Sequence, residues 1–469
     1  MMISSRYADP NWEQLPICAL NCIMERLILF DDYVHFGAVC VKWRTAFDEY
    51  NNKKKKHGQS SSSIPPFLLI PLHHNHNQEE EEEEEEEKEE VESYYKIKYP
   101  SRPSTYNGKQ LEPRRRKRRR IAQTTRSLYN VLSQKVCDFE VRLPHNYYCR
   151  GSSFGWLITM KPKKKFGYYY KYYVQLFNPF LSNKHNFINL PPLYKILKQE
   201  HKQEQDGVYH DHLYDRLFFY LRKAVLSCNP MFNGNFVVMA IVSQVWKLTF
   251  YTPENKDWTP IYWEREDWSY FLDVIYFKKT QQFYAVLQTG EVLAIDLITE
   301  AEAPGRIIPK VTQIAPPTHL FAAHGLRYLV ETSSGELLQA FKKLDCCIGS
   351  CSQDNYVTTV KFDVFKLDPA GLAWSQIHDM GDTILFLGDN SSISRTVSNF
   401  PGCKPNCIYY TDDVSMEREV GGLYDPQDMG IYNLADGTHQ PHYPTTSRKN
   451  FPTPIWIEPT LPRSIDFDS

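Results

Sequence analysis

The chain has 469 residues, of which 42% are hydrophobic and 14% aromatic, so it is long enough for one large domain and a small one. Its formal net charge of −2 excludes a whole-chain charge attraction to nucleic acid or anionic membranes. Residues 1–14 lack the apolar run of a signal peptide, and no stretch reaches the roughly 20 apolar residues of a membrane span. We therefore expect a soluble, intracellular protein whose 11 cysteines are reduced thiols.

Residues 11–50 have the spacing of amphipathic helices. Between positions 20 and 28, apolar residues recur three and four positions apart, as on one face of a helix. Val39, Trp43 and Phe47 continue the pattern four positions apart. About forty residues bury little apolar surface alone, so this module is expected to pack against a partner protein. A helical hairpin packed on the rest of the chain is the alternative.

Residues 51–126 are dominated by charge. An acidic tract occupies residues 79–90, broken only by Lys88, and a wholly basic block occupies residues 114–120. Like charges at this density repel one another, and few apolar side chains offset the entropy of ordering, so we predict a disordered insert. Residues 64–72 are apolar but contain three prolines, which favours an extended segment over a helix.

The basic block resembles a nuclear localisation signal, which predicts a protein of the nucleus and/or cytoplasm. A solvated run that neutralises the acidic tract is the alternative. Nucleic-acid binding is less favoured, because no aromatic residue is interleaved for base stacking. The acidic tract is interpreted as a spacer, with binding of a basic partner as the alternative. The residues of the candidate localisation signal are Arg114, Arg115, Arg116, Lys117, Arg118, Arg119 and Arg120.

Residues 128–459 have the pattern of short strands between turns. One pair of apolar runs flanks Thr289-Gly290, and another flanks a turn that contains Gly335. Glycine suits the positive φ of tight hairpin turns, so we predict a β-hairpin at each place. Further apolar runs predict strands at 155–160, 168–177, 236–251, 272–277, 358–367 and 383–387, and the spacing predicts a helix at 193–204.

A loose repeat is visible within this region. Residues 177–179, 251–253 and 367–369 each end an apolar run in proline, and Trp258 and Trp374 follow the latter two. Such recurrence fits blades of about four strands arranged in a ring, so we predict a mainly β fold with a propeller-like domain. The period is irregular, and a pair of β-sandwiches is the alternative.

The first region resembles the F-box. The match is carried by Leu-Pro at 15–16, the spaced aliphatics and VC-x-x-WR at 39–44. The resemblance implies that the module docks on the Skp adaptor of a Skp–cullin–F-box ubiquitin ligase. Gly37 stands where a larger residue is common, which would soften the second helix. The candidate adaptor-binding residues are Leu15, Pro16, Leu20, Ile23, Leu27, Val39 and Trp43.

The third region resembles the C-terminal domain of unknown function in a large plant F-box family, the KIB-like family. The strongest match is GDTILFLGDN followed by FPGCKPNCIYYTDD, within residues 381–413. The resemblance implies a β-propeller that faces the substrate of the ligase. Because the substrates of this family are mostly unassigned, the resemblance names no target.

Two cysteine clusters in the sequence could in principle supply zinc ligands. Cys403 and Cys407 form C-x-x-x-C, and Cys346, Cys347 and Cys351 form the second cluster. Neither has the spacing of a zinc finger, and no histidine neighbours them to complete a pair. We therefore expect no metal and no other cofactor.

Catalytic signatures are missing from the sequence. The chain contains no GxSxG, GxxxxGK[ST] or HExxH motif, so no catalytic residue is expected. Asp412-Asp413 and Asp389-Asn390 are paired acids or amides at strand ends, where we interpret them as turn residues.

These features predict a non-catalytic substrate-recognition subunit of a ubiquitin ligase. Its expected partners are a Skp-family adaptor, a cullin through that adaptor, and an unidentified protein target, with neither a membrane nor nucleic acid among them. The alternative is a protein that binds or sequesters a partner without a ligase, in the nucleus and associated with nucleic acid. The long insert would loosen the geometry of a receptor unless the β domain contacts the helices directly.

Overall fold

The computed structural model describes residues 12–24, 26, 36, 39–40, 42–43, 45–47, 49–50, 66–71, 125–143, 147–164, 170–181, 186–193, 221–231, 233–242, 247–263, 270–299, 306–318, 325–346, 357–368, 370, 373–400, 402–413, 428–443 and 454–459. In this part of the chain, six sheets form the blades of a β-propeller that follows a small helical module. The predicted mainly β, propeller-like fold is confirmed, and the β-sandwich alternative is wrong.

The helical module begins with a 3₁₀ helix (Trp12–Gln14) and continues with α1 (Ile17–Met24). The carbonyl of Pro16 accepts hydrogen bonds from the amides of Ala19 (3.0 Å) and Leu20 (3.2 Å). A proline at this point loses nothing, because the first amides of a helix have no partner within it. The indole Nε1 of Trp43 donates to the carbonyl of Trp12 over 3.0 Å and joins the later part of the module to its start.

Blade 1 closes the ring with strands from both ends of the chain. The innermost strand β25 (Ile455–Ile457) pairs antiparallel with β1 (Phe67–Pro71), which pairs with β2 (Arg126–Asn130), followed outward by β3 (Lys135–Val141). The first and last strands of the propeller therefore hold each other in register, so that the circle has no open seam.

The prediction that residues 51–126 form a disordered insert is wrong at two places. Residues 67–71 are strand β1, and Arg126 begins β2. The segment FLLIP is apolar enough to be buried between two neighbouring strands, and its proline stands at the strand end, where a missing amide is tolerated. The propeller thus starts at Phe67, before the predicted boundary at 128. Residues 72–124 lie outside the described residues.

Blades 2 and 3 each contain four antiparallel strands in chain order, from the innermost to the outermost. The strands of blade 2 are β4 (Tyr148–Ser153), β5 (Trp156–Lys164), β6 (Tyr170–Phe177) and β7 (Phe187–Asn189). The strands of blade 3 are β8 (Leu221–Leu226), β9 (Val238–Val242), β10 (Lys247–Tyr251) and β11 (Trp258–Pro260).

Blades 4 and 5 repeat this order. The strands of blade 4 are β12 (Phe271–Phe277), β13 (Gln282–Leu287), β14 (Val292–Thr299) and β15 (Ile307–Ala315). The strands of blade 5 are β16 (Gly325–Glu331), β17 (Leu337–Cys346), β18 (Val357–Leu367) and β19 (Trp374–Ile377). Both predicted hairpins are confirmed, with Gly290 at φ +90° and Gly335 at φ +74° in their turns. The predicted helix at 193–204 lies, beyond Leu193, outside the described residues.

Blade 6 departs from the simple order. Its innermost strand is the second in sequence, because β20 and β21 form a hairpin and β22 then adds parallel to β20. A 3₁₀ helix (Val397–Asn399) lies on the connection. The strands are β20 (Thr383–Gly388), β21 (Ser391–Thr396), β22 (Cys407–Tyr410), β23 (Gly430–Asn433) and β24 (His439–Gln440).

The tryptophans of the sequence repeat fasten neighbouring blades. The indole Nε1 of Trp258 in blade 3 donates to the carbonyl of Pro191, which follows the last strand of blade 2, over 2.6 Å. Trp374 in blade 5 donates in the same way to the carbonyl of Pro316, after the last strand of blade 4, over 2.8 Å. The repeat therefore marks a recurring joint between blades, as the propeller prediction requires.

Candidate functional site

The helical module packs on the propeller. Buried side chains of the module share one hydrophobic cluster with the facing surfaces of blades 1 and 2, so the propeller itself shields the apolar stripe of the module from water. The expectation that another protein must shield this stripe is thereby corrected. The module contributes Leu20, Met24, Phe36, Trp43, Ala46, Phe47 and Tyr50, and the propeller contributes Phe67, Leu69, Leu128, Cys137, Val141, Leu143, Leu157, Phe177, Phe180, Ile455 and Ile457.

A second set of apolar side chains on the module faces solvent. Trp12 is 57% exposed, Ile17 is 47% exposed and Val39 is 51% exposed, and Pro16 is exposed beside them in sequence. Exposed large apolar side chains that lie near one another, as Trp12 and Ile17 do in sequence, are typical of protein contact sites. The module therefore buries one set of apolar side chains against the propeller, the inner face, and exposes another set to solvent, which is called the outer face.

The candidate adaptor-binding residues divide between these two faces. Pro16 and Val39 lie on the outer face, and Leu20 and Trp43 are buried in the shared cluster. Leu15 and Ile23 are half-buried against that cluster, and Leu27 lies outside the described residues. Sequence periodicity missed Trp12 and Ile17, because a 3.6-residue pattern identifies the buried stripe and carries no signal for exposed apolar residues.

A polar cluster lies on the propeller axis. Asp273, on the innermost strand of blade 4, forms an ion pair with Lys223 of blade 3. The same carboxylate accepts hydrogen bonds from the Leu329 amide of blade 5 (2.8 Å) and the Ser392 hydroxyl of blade 6 (3.2 Å). A side chain of one blade reaches the inner strands of three other blades only from the centre of the ring, so Asp273 is placed in the central channel.

An ion pair also crosses the channel. The guanidinium of Arg222 in blade 3 lies 3.1 Å from the carboxylate of Asp389, in the turn between β20 and β21 of blade 6. Blades 3 and 6 are opposite each other in a ring of six. The Asn390 carbonyl in the same turn accepts a hydrogen bond from the Ser152 amide of blade 2 over 3.3 Å. Charged side chains thus reach across the channel and tie non-adjacent blades together.

The acidic pairs of the strongest family match lie next to this channel. Because β20 and β22 are parallel neighbours, their ends meet at one edge, and the Asp389 amide donates to the Asp413 carboxylate over 2.9 Å. Tyr328 of blade 5 donates its hydroxyl to the same carboxylate. The interpretation of Asp389 and Asp413 as turn residues holds for their position but misses this buried network, which depends on tertiary contacts.

Lys342 carries the network further between blades 5 and 6. Its ammonium lies 3.1 Å from Asp428 and donates to the Thr411 carbonyl over 3.0 Å. Burial alone lowers the pKa of Lys342, but the carboxylates of Asp428, Asp413 and Asp412 raise it above its ordinary value. The lysine therefore stays charged in the interior, paired with acids from both sides of the β22–β23 connection.

The pKa of Asp413 makes this network sensitive to pH. Burial raises the pKa of its carboxyl to about 6, although Lys342 lowers it. The unfolded value is about 3.9, so the stability that the group contributes is complete below about pH 4 and is lost as the pH rises through 6. Two pKa units correspond to about 3 kcal/mol.

We expect the free energy of unfolding of wild type, minus that of Asp413→Asn, to decrease by up to about 3 kcal/mol from pH 4.5 to 7, as measured by urea unfolding. A difference that is constant with pH would contradict this assignment.

The described residues offer little chemistry beyond these contacts. No three His, Cys, Asp or Glu side chains in the described part of the chain come together as metal ligands. Burial raises the pKa of Cys403 to about 11 and also raises the pKa of Cys407, so both thiols are held protonated.

The candidate localisation signal, Arg114 to Arg120, lies outside the described residues. No helix in the described ranges has the length and apolar character needed to cross a membrane.

Comparison with known proteins agrees with this architecture. The KIB1-4 beta-propeller family model matches residues 128–433, and the F-box domain model matches residues 12–55. Among curated proteins, the F-box protein SKIP23 of Arabidopsis thaliana is 24% identical over 339 residues, covering 67% of this chain and 76% of the relative. The F-box protein At2g17036 of the same plant is 23% identical over 342 residues, with the same coverage of both chains.

Proposed function

Because the chain belongs to the KIB1-4 β-propeller family and carries an F-box domain, we propose that it is the substrate-recognition subunit of a Skp–cullin–F-box ubiquitin ligase. The F-box binds the Skp-family adaptor and, through it, a cullin, and the propeller binds an unidentified protein target. The subunit catalyses nothing itself. It brings the target near a charged ubiquitin-conjugating enzyme and thereby raises the effective concentration of the two reactants.

The observation that carries this proposal is the two-faced helical module. Its inner face is buried against blades 1 and 2, and its outer face leaves Trp12, Ile17 and Val39 in solvent. An adaptor that covers the outer face is then attached to a module held by the propeller. A receptor needs this arrangement, because the position of a bound target relative to the ligase is set by the contact between the two domains.

The part of the predicted insert that carries the acidic tract and the basic block, residues 72–125, does not lie between the two domains. It connects β1 to β2 within blade 1, where Pro71 pairs with Arg126, so both of its ends leave the same edge of one blade. Only residues 51–66 lie between the last described residue of the module, Tyr50, and β1. This charged segment therefore begins and ends within blade 1, and its length does not change the distance along the chain between the helical module and the propeller.

Co-elution tests the proposal directly. Full-length protein, a Skp-type adaptor and a cullin are mixed at micromolar concentrations and separated by size-exclusion chromatography. We expect one complex that contains all three chains, and failure to recover the adaptor would refute the ligase assignment. Proximity labelling in cells with the proteasome inhibited then identifies the target, which is expected to accumulate only with the intact F-box.

A second candidate is a protein that sequesters a partner without a ligase. The burial of Leu20 and Trp43 against the propeller favours this candidate. A helical module that served only to extend the propeller would bury the same two side chains in the same way. In that case the propeller retains its target in pull-downs while the adaptor is absent. The basic block, residues 114–120, predicts that this candidate is a nuclear protein. Loss of nuclear accumulation on deletion of the block tests the predicted localisation.

A further inference from the structure

The hairpin that joins β5 to β6 in blade 2 carries a dense positive charge. Its residues 161–173, KPKKKFGYYYKYY, include five lysines and six aromatic residues but no aspartate or glutamate. Lys163 and Lys171 stand directly opposite each other in the pairing of the two strands, and like charges at opposite positions destabilise a strand pair. Any carboxylate that neutralises these lysines must therefore come from outside the hairpin.

The acidic tract of the same chain has the complementary charge. Residues 79–90 comprise eleven glutamates and one lysine, which give a net charge of −10. The basic block at residues 114–120 carries seven positive charges, so it does not neutralise the tract by itself. A surplus of negative charge remains for a second basic partner.

Contacts between blades 1 and 2 place one end of the charged segment beside this hairpin. The segment, residues 72–125, ends where Arg126 begins β2. The guanidinium of Arg126 donates to the Tyr147 carbonyl over 2.6 Å, and the ammonium of Lys161 lies 4.8 Å from the centre of the Tyr147 ring. Tyr147 thus joins the end of the charged segment to the base of the hairpin.

Topology and chain length agree with this placement. In each of these neighbouring blades the link joins the second strand from the axis to the third, so the two links occupy corresponding positions. Glu79 is eight residues beyond Pro71, and an extended chain covers roughly 3.3–3.6 Å per residue, so the tract begins within roughly 30 Å of the end of β1. Packed sheets lie about 10 Å apart, so the hairpin of the next blade is within this reach.

We propose that the acidic tract, residues 79–90, docks on the basic hairpin, residues 161–173, of the same molecule. A single ion pair at a surface is weak, but several lysines that meet a run of glutamates act together. The tether also keeps the tract at an effective concentration of about 1 mM. The docked tract competes with free polyanions for the hairpin, and this contact does not depend on the ligase assignment, because neither segment belongs to the helical module.

A free acidic peptide measures whether the hairpin is already occupied. A fluorescent peptide with the sequence of residues 78–92 is titrated into full-length wild type and into a variant whose residues 79–90 are replaced by glycine and serine. We expect the replaced variant to bind at least about tenfold more tightly, since a tethered competitor at about 1 mM weakens a ligand of Kd near 100 µM by that factor. Equal affinity for the two proteins would overturn the proposal.

Lysine substitutions in the tract-replaced variant locate the contact, after melting temperatures have shown that each protein is folded. Lys163→Gln/Lys164→Gln/Lys171→Gln is expected to lose the gain in peptide affinity. The control should keep it, and it removes three exposed lysines of blades 4, 5 and 6 through Lys310→Gln, Lys343→Gln and Lys404→Gln. If deletion of residues 114–120 removes the gain and the hairpin substitutions do not, the tract pairs with the basic block and the proposal is wrong.

Amide hydrogen exchange tests the contact within one molecule. In full-length protein at low salt, the backbone amides of residues 161–173 should exchange more slowly in wild type than in the tract-replaced variant. The difference should vanish in 1 M salt, where charges are screened beyond about 3 Å. Identical exchange of the hairpin in both proteins at low salt would show that the tract does not dock there.

Discussion

Replacing Ile17 and Val39 by aspartate is expected to abolish capture of a Skp-type adaptor while the protein stays folded. Both side chains are about half exposed, at 47% and 51%, so a charge there costs the isolated protein little. In a complex, each loses roughly half of the 1.5–3 kcal/mol that fully burying such a side chain contributes, and the buried charge adds a desolvation cost of at least about 1 kcal/mol. Because 1.4 kcal/mol is a factor of ten, the double variant should bind at least about 100-fold more weakly. Isothermal titration with purified adaptor measures the change.

Two comparisons make this result specific. Ile298→Asp/Val360→Asp places the same charges at apolar propeller positions of similar exposure, 40% and 46%, and should bind the adaptor like wild type. Leu20→Asp places a charge in the cluster shared with blades 1 and 2 and should lower the melting temperature steeply. Full adaptor affinity in the Ile17→Asp/Val39→Asp variant would show that the outer face is not the docking surface.

Removing the carboxylate of Asp273 is expected to be the most damaging polar substitution in the propeller. Asp273→Ala leaves the ammonium of Lys223 buried without its ion pair and leaves the Leu329 amide and the Ser392 hydroxyl without their acceptor. Breaking one side of a buried ion pair typically costs roughly 3–5 kcal/mol. Since the carboxylate joins four blades, we expect the loss to appear in the global urea-unfolding transition.

A double-mutant cycle separates the ion pair from the other contacts. Lys223→Met, Asp273→Asn and their combination should give a coupling energy above about 1 kcal/mol, because neither side chain is screened by water. The exposed pair Lys366–Glu336, with nitrogen and oxygen 2.6 Å apart, is the control and should couple by less than about 1 kcal/mol. Equal coupling in the two cycles would show that the axial pair contributes no more than a surface pair.

The residues that carry the family resemblance have a structural role of their own. Asp389 and Asp413 stand at the ends of the parallel strands β20 and β22 and meet Tyr328 and Arg222 from blades 5 and 3. Their burial ties the irregular blade 6 to the rest of the ring.

Local patterns predicted the parts of this protein that depend on near neighbours in sequence. Apolar runs and turn glycines such as Gly290 predicted the hairpins, since the residues of a tight turn and its two flanking strands determine how those strands pair. The spacing of Leu20 and Met24 predicted the buried face of α1 for the same reason. The family match rested on such local stretches as well.

Tertiary structure alone decided the rest. The segment FLLIP becomes β1 because it pairs with β2 on one side and, on the other, with β25 from the far end of the chain. The apolar stripe of the helical module is buried by the propeller, which leaves Ile17 and Val39 exposed to solvent. Asp273 and Asp389 are ordinary acids in sequence and become axial because ring closure brings four inner strands to one point. Contacts between residues so far apart along the chain produce no periodic pattern in the sequence, so they can be identified only in the folded structure.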